Sequence, residues 1–211
     1  FLAVFGRWLA PSRAGAEAAI EARAAASGVA RGGADGASVP GPRDVARSSE
    51  EVPRCDIEDH VILVGFGIGG RQVARILHPR GFRLVVIELN RETLRAVAEE
   101  GITTVYGDAA RAPVLSAARI ECARALIVTV PDPSGARAIV ATARLLNPQI
   151  TLVVRTRYAL NVEALYELGA DEVVVEEFES ALELAGRVLG CFGASAEEVD
   201  LEKGALRRNP G

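Results

Sequence analysis

The residues best suited to chemistry lie between His60 and Glu88. The run His60-Val-Ile-Leu-Val-Gly65-Phe-Gly67-Ile-Gly-Gly70-Arg-Gln enters a helical stretch, and Arg83-Leu-Val-Val-Ile-Glu88 follows it. An apolar strand, a Gly-x-Gly-x-x-Gly turn, a helix, a second apolar strand and a terminal carboxylate thus fall in order, the arrangement that cradles a pyrophosphate. Gly65 and Gly67 allow a tight turn and close backbone approach to a phosphate, and Gly70 lets the helix lie against the strand. The helix start presents unpaired N–H groups and a positive dipole end to the anion. Glu88, 18 residues after Gly70, stands where an acid accepts two ribose hydroxyls and repels a 2′-phosphate. The pattern points to a nucleotide site that favours NAD(H) or an adenosine nucleotide over NADP.

Those residues need a scaffold, and the chain supplies one from about Asp56 onward. Apolar runs alternate with helical stretches, each strand apolar along its whole length as in a parallel sheet covered on both faces. The pattern predicts strands near Val61 to Val64, Leu84 to Ile87, Thr103 to Tyr106, Ala125 to Val130, Thr151 to Arg155 and Glu172 to Val175. It predicts intervening helices near Gly69 to Leu77, Arg91 to Glu100, Ala112 to Ala118, Pro133 to Leu146 and Asn161 to Leu168. A last helix is predicted from Phe178 to about Phe192. Asn90 and Asp132 are good helix caps, and Pro133 suits a first helical position. The expected fold is α/β, a Rossmann-type doubly wound parallel sheet of six strands with its ligand at the switch point between the first and fourth.

The remainder of the chain is less regular. Residues 10–56 are rich in Ala, Gly, Arg, Ser and Pro and read as a linker, with an Ala-rich helical stretch from Ala14 to Ser27 that has only Ile20 to bury. Residues 1–9, Phe1-Leu-Ala-Val-Phe-Gly-Arg-Trp-Leu9, are too short to span a bilayer but resemble the cytoplasmic end of a membrane helix. The 211-residue chain has no methionine, and with its apolar start it reads as a fragment of something longer. Residues 57–192 form the folded domain, and residues 193–211 read as a flexible, mixed-charge tail.

Composition narrows the function. A formal charge of −4 and the absence of a basic stripe argue against nucleic acid. Cys55, Cys122 and Cys191 are widely spaced, without metal-ligand spacing, and suit free thiols. His60 and His78 fall at the start of a strand and the end of a helix, where structural roles suffice. A hydride-transfer enzyme would need a substrate pocket with an acid–base group opposite the nicotinamide. The only lysine is Lys203, so no Tyr-x-x-x-Lys pair exists. A binding module without catalytic residues is the better reading, with an NAD-dependent oxidoreductase fragment as the alternative.

The glycine turn, Glu88, the run Val105-Tyr-Gly107-Asp108-Ala109 with Val114-Leu115 and Ala117-Ala118, and the later Gly169-Ala170-Asp171-Glu-Val-Val-Val-Glu176 together resemble a regulator of potassium conductance domain. Such domains are also called KTN or Trk-type NAD-binding domains. The resemblance covers roughly His60 to Phe192. Its most discriminating part is the Gly-Asp-Ala turn after the third strand. With Pro131-Asp132-Pro133 and a single regulatory lobe, the chain looks most similar to the C-terminal domains of glutathione-gated potassium-efflux and related cation:proton antiporters.

This resemblance implies a nucleotide-sensing domain on the cytoplasmic face of the cell membrane, joined to a membrane-spanning transporter and paired as a homodimer. Its non-catalytic ligand would be NAD(H) or an AMP-type adenine nucleotide. The ligand set it implies is Gly65, Phe66, Gly67, Ile68, Gly69 and Gly70 at the phosphate, Glu88 at the ribose, and Asp108 and Ala109 beside the adenosine. Thr129 and Val130 would line the far side, with Arg155 near ligand and dimer interface. Many efflux-antiporter members carry an arginine inside the glycine turn. Here Ile68 stands in that place, and Arg71, just after the turn, is the nearest alternative. The last helix carries Phe178, Ala181, Leu182, Ala185, Val188, Leu189 and Phe192 at helical spacing, a stripe that the resemblance assigns to the dimer partner. A linker of about 40 residues would span roughly 35 Å as a flexible coil, so coupling to the membrane part is expected through direct docking.

Overall fold

The computed structural model describes residues 57–208. The expectations for residues 1–9 and 10–56 lie outside the described residues. Six strands form one parallel sheet: β1 (His60–Val64), β2 (Leu84–Glu88), β3 (Thr103–Tyr106), β4 (Ala123–Val128), β5 (Thr151–Thr156) and β6 (Glu172–Val175). The helices are α1 (Ile68–Leu77), α2 (Arg91–Glu99), α3 (Ala112–Ala117), α4 (Pro133–Leu146), α5 (Val162–Glu167), α6 (Glu176–Cys191) and α7 (Ala196–Arg208). The strand order is β3-β2-β1-β4-β5-β6, the doubly wound order expected of the alternating pattern.

Strand alternation divides the core in two. Val61, Leu63, Leu84 and Val86 face α1 and α2, packing with Phe66, Ala74, Leu94 and Val97. Ile62, Val64, Val85, Ile87, Leu126 and Val128 face the other way, onto Leu115, Ile139, Val140 and Leu165 of α3, α4 and α5. The direction in which successive strands are added reverses between β1 and β4, so the crossovers on either side cover opposite faces and leave a crevice at the strand ends. Asn90 caps α2 by accepting from the N–H groups of Glu92 and Thr93, and Asp132 caps α4 by accepting from those of Ser134 and Gly135.

Three sequence expectations are corrected. The fourth strand ends at Val128 rather than Val130, because Thr129 turns back to bond the end of β1. Residues 193–211 were expected to be a flexible tail, yet most of them form α7. Gly193 turns the chain at φ +93. Ser195 then begins α7 with a reciprocal cap, its Oγ accepting from Glu198 N–H while the Glu198 carboxylate accepts from Ser195 N–H. Mixed charge hid this helix, since its ion pairs reach across to α6 and leave no apolar stripe to read. Finally, Cys122 is disulfide-bonded, not a free thiol, whereas Cys191 is free and exposed.

His60 is wholly buried at the start of β1, its Nε2–H donating to Ala118 O at 2.9 Å. Its Nδ1 has no partner. Burial pushes the imidazole pKa below its ordinary value, outweighing the Ala118 hydrogen bond. The ring therefore serves the fold as a neutral group.

Candidate functional site

The crevice is built from backbone first. Gly65 leaves β1 at φ +88, a conformation that side chains other than glycine rarely adopt. A Cβ on Gly70 would sit 2.2 Å from Gly65 O, so α1 rests directly on the turn. Arg71 N–H donates to Gly67 O at 3.0 Å and opens the helical ladder. The N–H groups before it have no intrahelical acceptor, and no side chain caps them. Gly67 and Gly69 face open space, with nothing within 4 Å of where a Cβ would stand. The result is a bare helix start that offers N–H groups and a positive dipole end to an anion.

Glu88 is fixed beside this turn. Its Oε2 accepts from Phe66 N–H at 2.8 Å, and its Oε1 accepts from the N–H groups of Leu89 at 2.7 Å and Asn90 at 3.0 Å. The carboxylate thus joins the glycine turn to the end of β2, and Oε2, which accepts only one bond, keeps lone-pair capacity for a hydroxyl donor. Thr129 locks the opposite side. Its Oγ lies 3.0 Å from both Val64 O and Gly65 O, and its N–H donates to Val64 O at 2.9 Å.

The other expected residues divide. Phe66 is buried, and Ile68 is 87% exposed at the mouth of the turn. Asp108 lies in the turn after β3, its Oδ1 accepting from Ala110 N–H at 2.9 Å. Ala109 is buried in the core, and Val130 packs against that core, so their side chains serve packing. Arg155 donates to Thr129 O at 3.2 Å and pairs with Glu176, which ties the first turn of α6 to the rim of the crevice. Arg71 stays close to the turn: its Nε donates to Phe66 O at 3.3 Å and its guanidinium lies 5.9 Å from the Phe66 ring centroid. It is the guanidinium beside the turn that Ile68 itself does not provide. No cluster of metal-ligating side chains occurs among the described residues.

Sequence reasoning passed over one neighbouring feature. Tyr106, the last residue of β3, stands opposite Glu88 in the strand register. The Arg91 guanidinium lies 4.4 Å from its ring centroid. Only the pairing of β2 with β3 brings these residues together, and nothing in their spacing announces it.

The TrkA-N domain family matches residues 61–176, from the start of β1 to the start of α6. The chain belongs to the TrkA-N domain family. Among curated relatives, it is 36% identical over 138 residues to a putative cation/proton antiporter, YbaL, of Escherichia coli, covering 65% of this chain and 25% of that protein. It is 33% identical over 145 residues to a glutathione-regulated potassium-efflux system protein of Haemophilus influenzae, covering 69% of this chain and 24% of the relative. The chain therefore spans about a quarter of the length of these relatives. Among solved structures, the Kef C-terminal domain of Shewanella denitrificans in its AMP-bound form aligns with a TM-score of 0.60 and 26% identity, covering 72% of this chain and 92% of that one. The GsuK channel bound to NAD aligns at 0.55 and 27% identity, covering 64% of this chain and 24% of the channel chain. The relatives thus place the match within larger transport proteins, and the two aligned structures were solved with adenine nucleotides.

Proposed function

We propose that this chain is a non-catalytic regulatory domain that senses NAD(H) or an adenine nucleotide for a monovalent-cation transporter, a cation:proton antiporter of the potassium-efflux type. The carrying observation is the bare start of α1 set beside a Glu88 carboxylate already fixed by three backbone N–H groups. Phosphate at the first and ribose hydroxyls at the second match the two ends of a nucleotide's sugar-phosphate. The names of the relatives supply the transporter context.

In this reading the domain works on the cytoplasmic face of the cell membrane, joined to a membrane-spanning part. No helix among the described residues is long and apolar enough to cross a membrane. It pairs with a second copy through α6. Leu184, Val188, Leu189 and Phe192 are exposed there, and Val174 is left open on the outer part of the sheet. Nucleotide occupancy shifts the pair between two arrangements and so biases ion flux, by as much as the ligand's affinity differs between them. Phe178 and Leu182 of the same helix instead pack inward, half-buried and buried.

Calorimetry on the full chain with NADH, NAD and AMP tests the reading, with Glu88→Ala and Asp108→Ala as comparisons. Saturable binding by at least one nucleotide, weakened by Glu88→Ala, is the expected result. If none of the three binds, or if the chain steadily oxidises NADH with small carbonyl compounds, the sensor reading is wrong.

A further inference from the structure

We propose that Cys122 and Cys55 form a redox latch that fastens the segment entering the domain to the sheet; this goes beyond the nucleotide reading and takes from it only the cytoplasmic setting. Cys122, half-buried just before β4, is disulfide-bonded. The chain has three cysteines, and Cys191 is free. Cys55, which precedes the described residues, is the one partner left within the chain. The contacts of the entering segment bring it within range. Ile57 packs against the core that holds Ala118, Ile120 and Ala123, the Glu58 carbonyl accepts from the Arg83 guanidinium, and Asp59 N–H donates to Cys122 O at 3.0 Å. Cys55 stands four residues before Asp59, a span of at most about 14 Å. A disulfide needs its two Cα atoms about 4.4–6.8 Å apart, which that span allows. The backbone is thus led past Cys122 by contacts that do not involve sulfur.

The latch lies at the opposite end of the sheet from the glycine turn. His60 pairs with Ala123 in register, and Gly65 follows one strand length further on, about 16 Å away. A Cys55–Cys122 bond closes a loop that contains β1, β2 and β3, so it strongly restrains the unfolded chain. The side-chain ion pair at the same place, Asp59 with Arg124 at 3.7 Å, is exposed on both sides and adds little. In a cytoplasm that keeps thiols reduced, the disulfides that form are mostly transient or redox-sensing. Opening proceeds by exchange with a low-molecular-weight monothiol. Its thiolate attacks one cysteine sulfur, the S–S bond breaks, and the other cysteine leaves as a thiolate that takes a proton. A second monothiolate attacks the small-molecule sulfur of the mixed disulfide, releasing the remaining cysteine and a small-molecule disulfide. Two electrons pass from the monothiols to the protein pair. Oxidation fastens the entering segment to the start of β4, and reduction frees it.

Tryptic peptides of the full chain, taken without reduction, test the pairing. Cuts after Arg54, Arg71, Arg119 and Arg124 should yield residues 55–71 joined to residues 120–124. In a cysteine–cystine buffer held at the cytosolic poise the bond should open, read as alkylation of two further thiols. The melting temperature should fall by about 5 to 15 °C on opening. Cys55→Ser and Cys122→Ser should each melt at the reduced value in either buffer, while Cys191→Ser follows the wild type. AMP affinity should differ by no more than about twofold between the two redox states, since the sites are far apart. Cys122 joined to Cys191, or to a second copy, overturns the pairing. A bond that stays closed at the cytosolic poise is a permanent staple and overturns the latch. Failure of AMP to bind in either state overturns the nucleotide reading alone, because the peptide map and the melts do not depend on it.

Discussion

The glycine turn and the α6–α7 hairpin are both compact, ordered parts of this chain, yet they are held by opposite means. At the turn, backbone meets backbone. Gly70 lies on Gly65, Thr129 bonds the carbonyls of Val64 and Gly65, and Glu88 gathers three N–H groups. At the hairpin, charge meets charge on the surface. Lys203 reaches Glu183 at 2.7 Å, and Arg207 holds Glu179 with bonds of 3.0 and 2.6 Å. α7 buries no residue fully. Contacts of the first kind tolerate no added atom and little respond to salt. Those of the second kind are weak singly and screened by ions. Rigidity thus sits at the turn proposed to meet a nucleotide, and lability sits beside the face proposed to meet a second copy.

The sharpest way to break that contrast is to add one methyl group on each side. Gly70→Ala should destabilise the domain by about 3 kcal/mol or more and abolish nucleotide binding, because backbone cannot yield to a Cβ so close. Gly186, buried where α7 crosses α6, would also meet Val199 and Lys203. There the end of Lys203 can swing away and α7 can shift to free Val199, so Gly186→Ala should loosen α7 and leave nucleotide binding intact. Thermal melts and calorimetry of both variants decide it. Equal damage from the two would remove the distinction.

Glu88→Ala is expected to rank second. It strips the partner from Phe66, Leu89 and Asn90 N–H and should cost about tenfold to hundredfold in AMP affinity, as loss of hydrogen bonds to a charged group does. Titration calorimetry reads it directly.

A smaller effect is expected from acid. His60 has its pKa lowered by burial, so below the unfolded value of about 6.5 the unfolded chain takes up a proton that the folded chain refuses. Stability should be full above that pH and fall as pH drops through it toward the folded pKa. Denaturant midpoints between pH 7.5 and 5 should show this decline, and His60→Leu should flatten it. An unchanged slope would mean another group titrates.

The smallest change should come from Glu179→Gln with Glu183→Gln. The Lys203 hydrogen bond and charge hold the Glu183 carboxyl below the usual carboxylate range, but the group is fully at the surface. Global unfolding should barely move. Hydrogen exchange in α7 should rise in the variant, and rise likewise in the wild type as potassium chloride is added. Protection of α7 that ignores both would show that something other than ion pairs holds it.

Much of this was legible in the residues. The turn from Gly65 to Gly70, the carboxylate at Glu88, the caps at Asn90 and Asp132 and the six-strand cadence are local signals. They depend on backbone sterics, unpaired helix-end groups and alternation, all set within a few residues. Other roles were misread for the same reason. Thr129 and Val130 looked like the end of a strand, and Gly193 onward like a loose tail. Each is decided by a partner far along the chain: Val64 for Thr129 and α6 for α7.

By itself, then, the sequence determined that a doubly wound sheet would carry a phosphate-ready helix start beside an acid, because those features are local in origin. Tertiary structure alone decided how tightly the start of α1 is seated, which groups hold Glu88 still, and that Arg91 meets the Tyr106 ring. Those depend on strand register and crossover packing, where residues distant in sequence come within bonding range, and no short stretch of sequence contains that information.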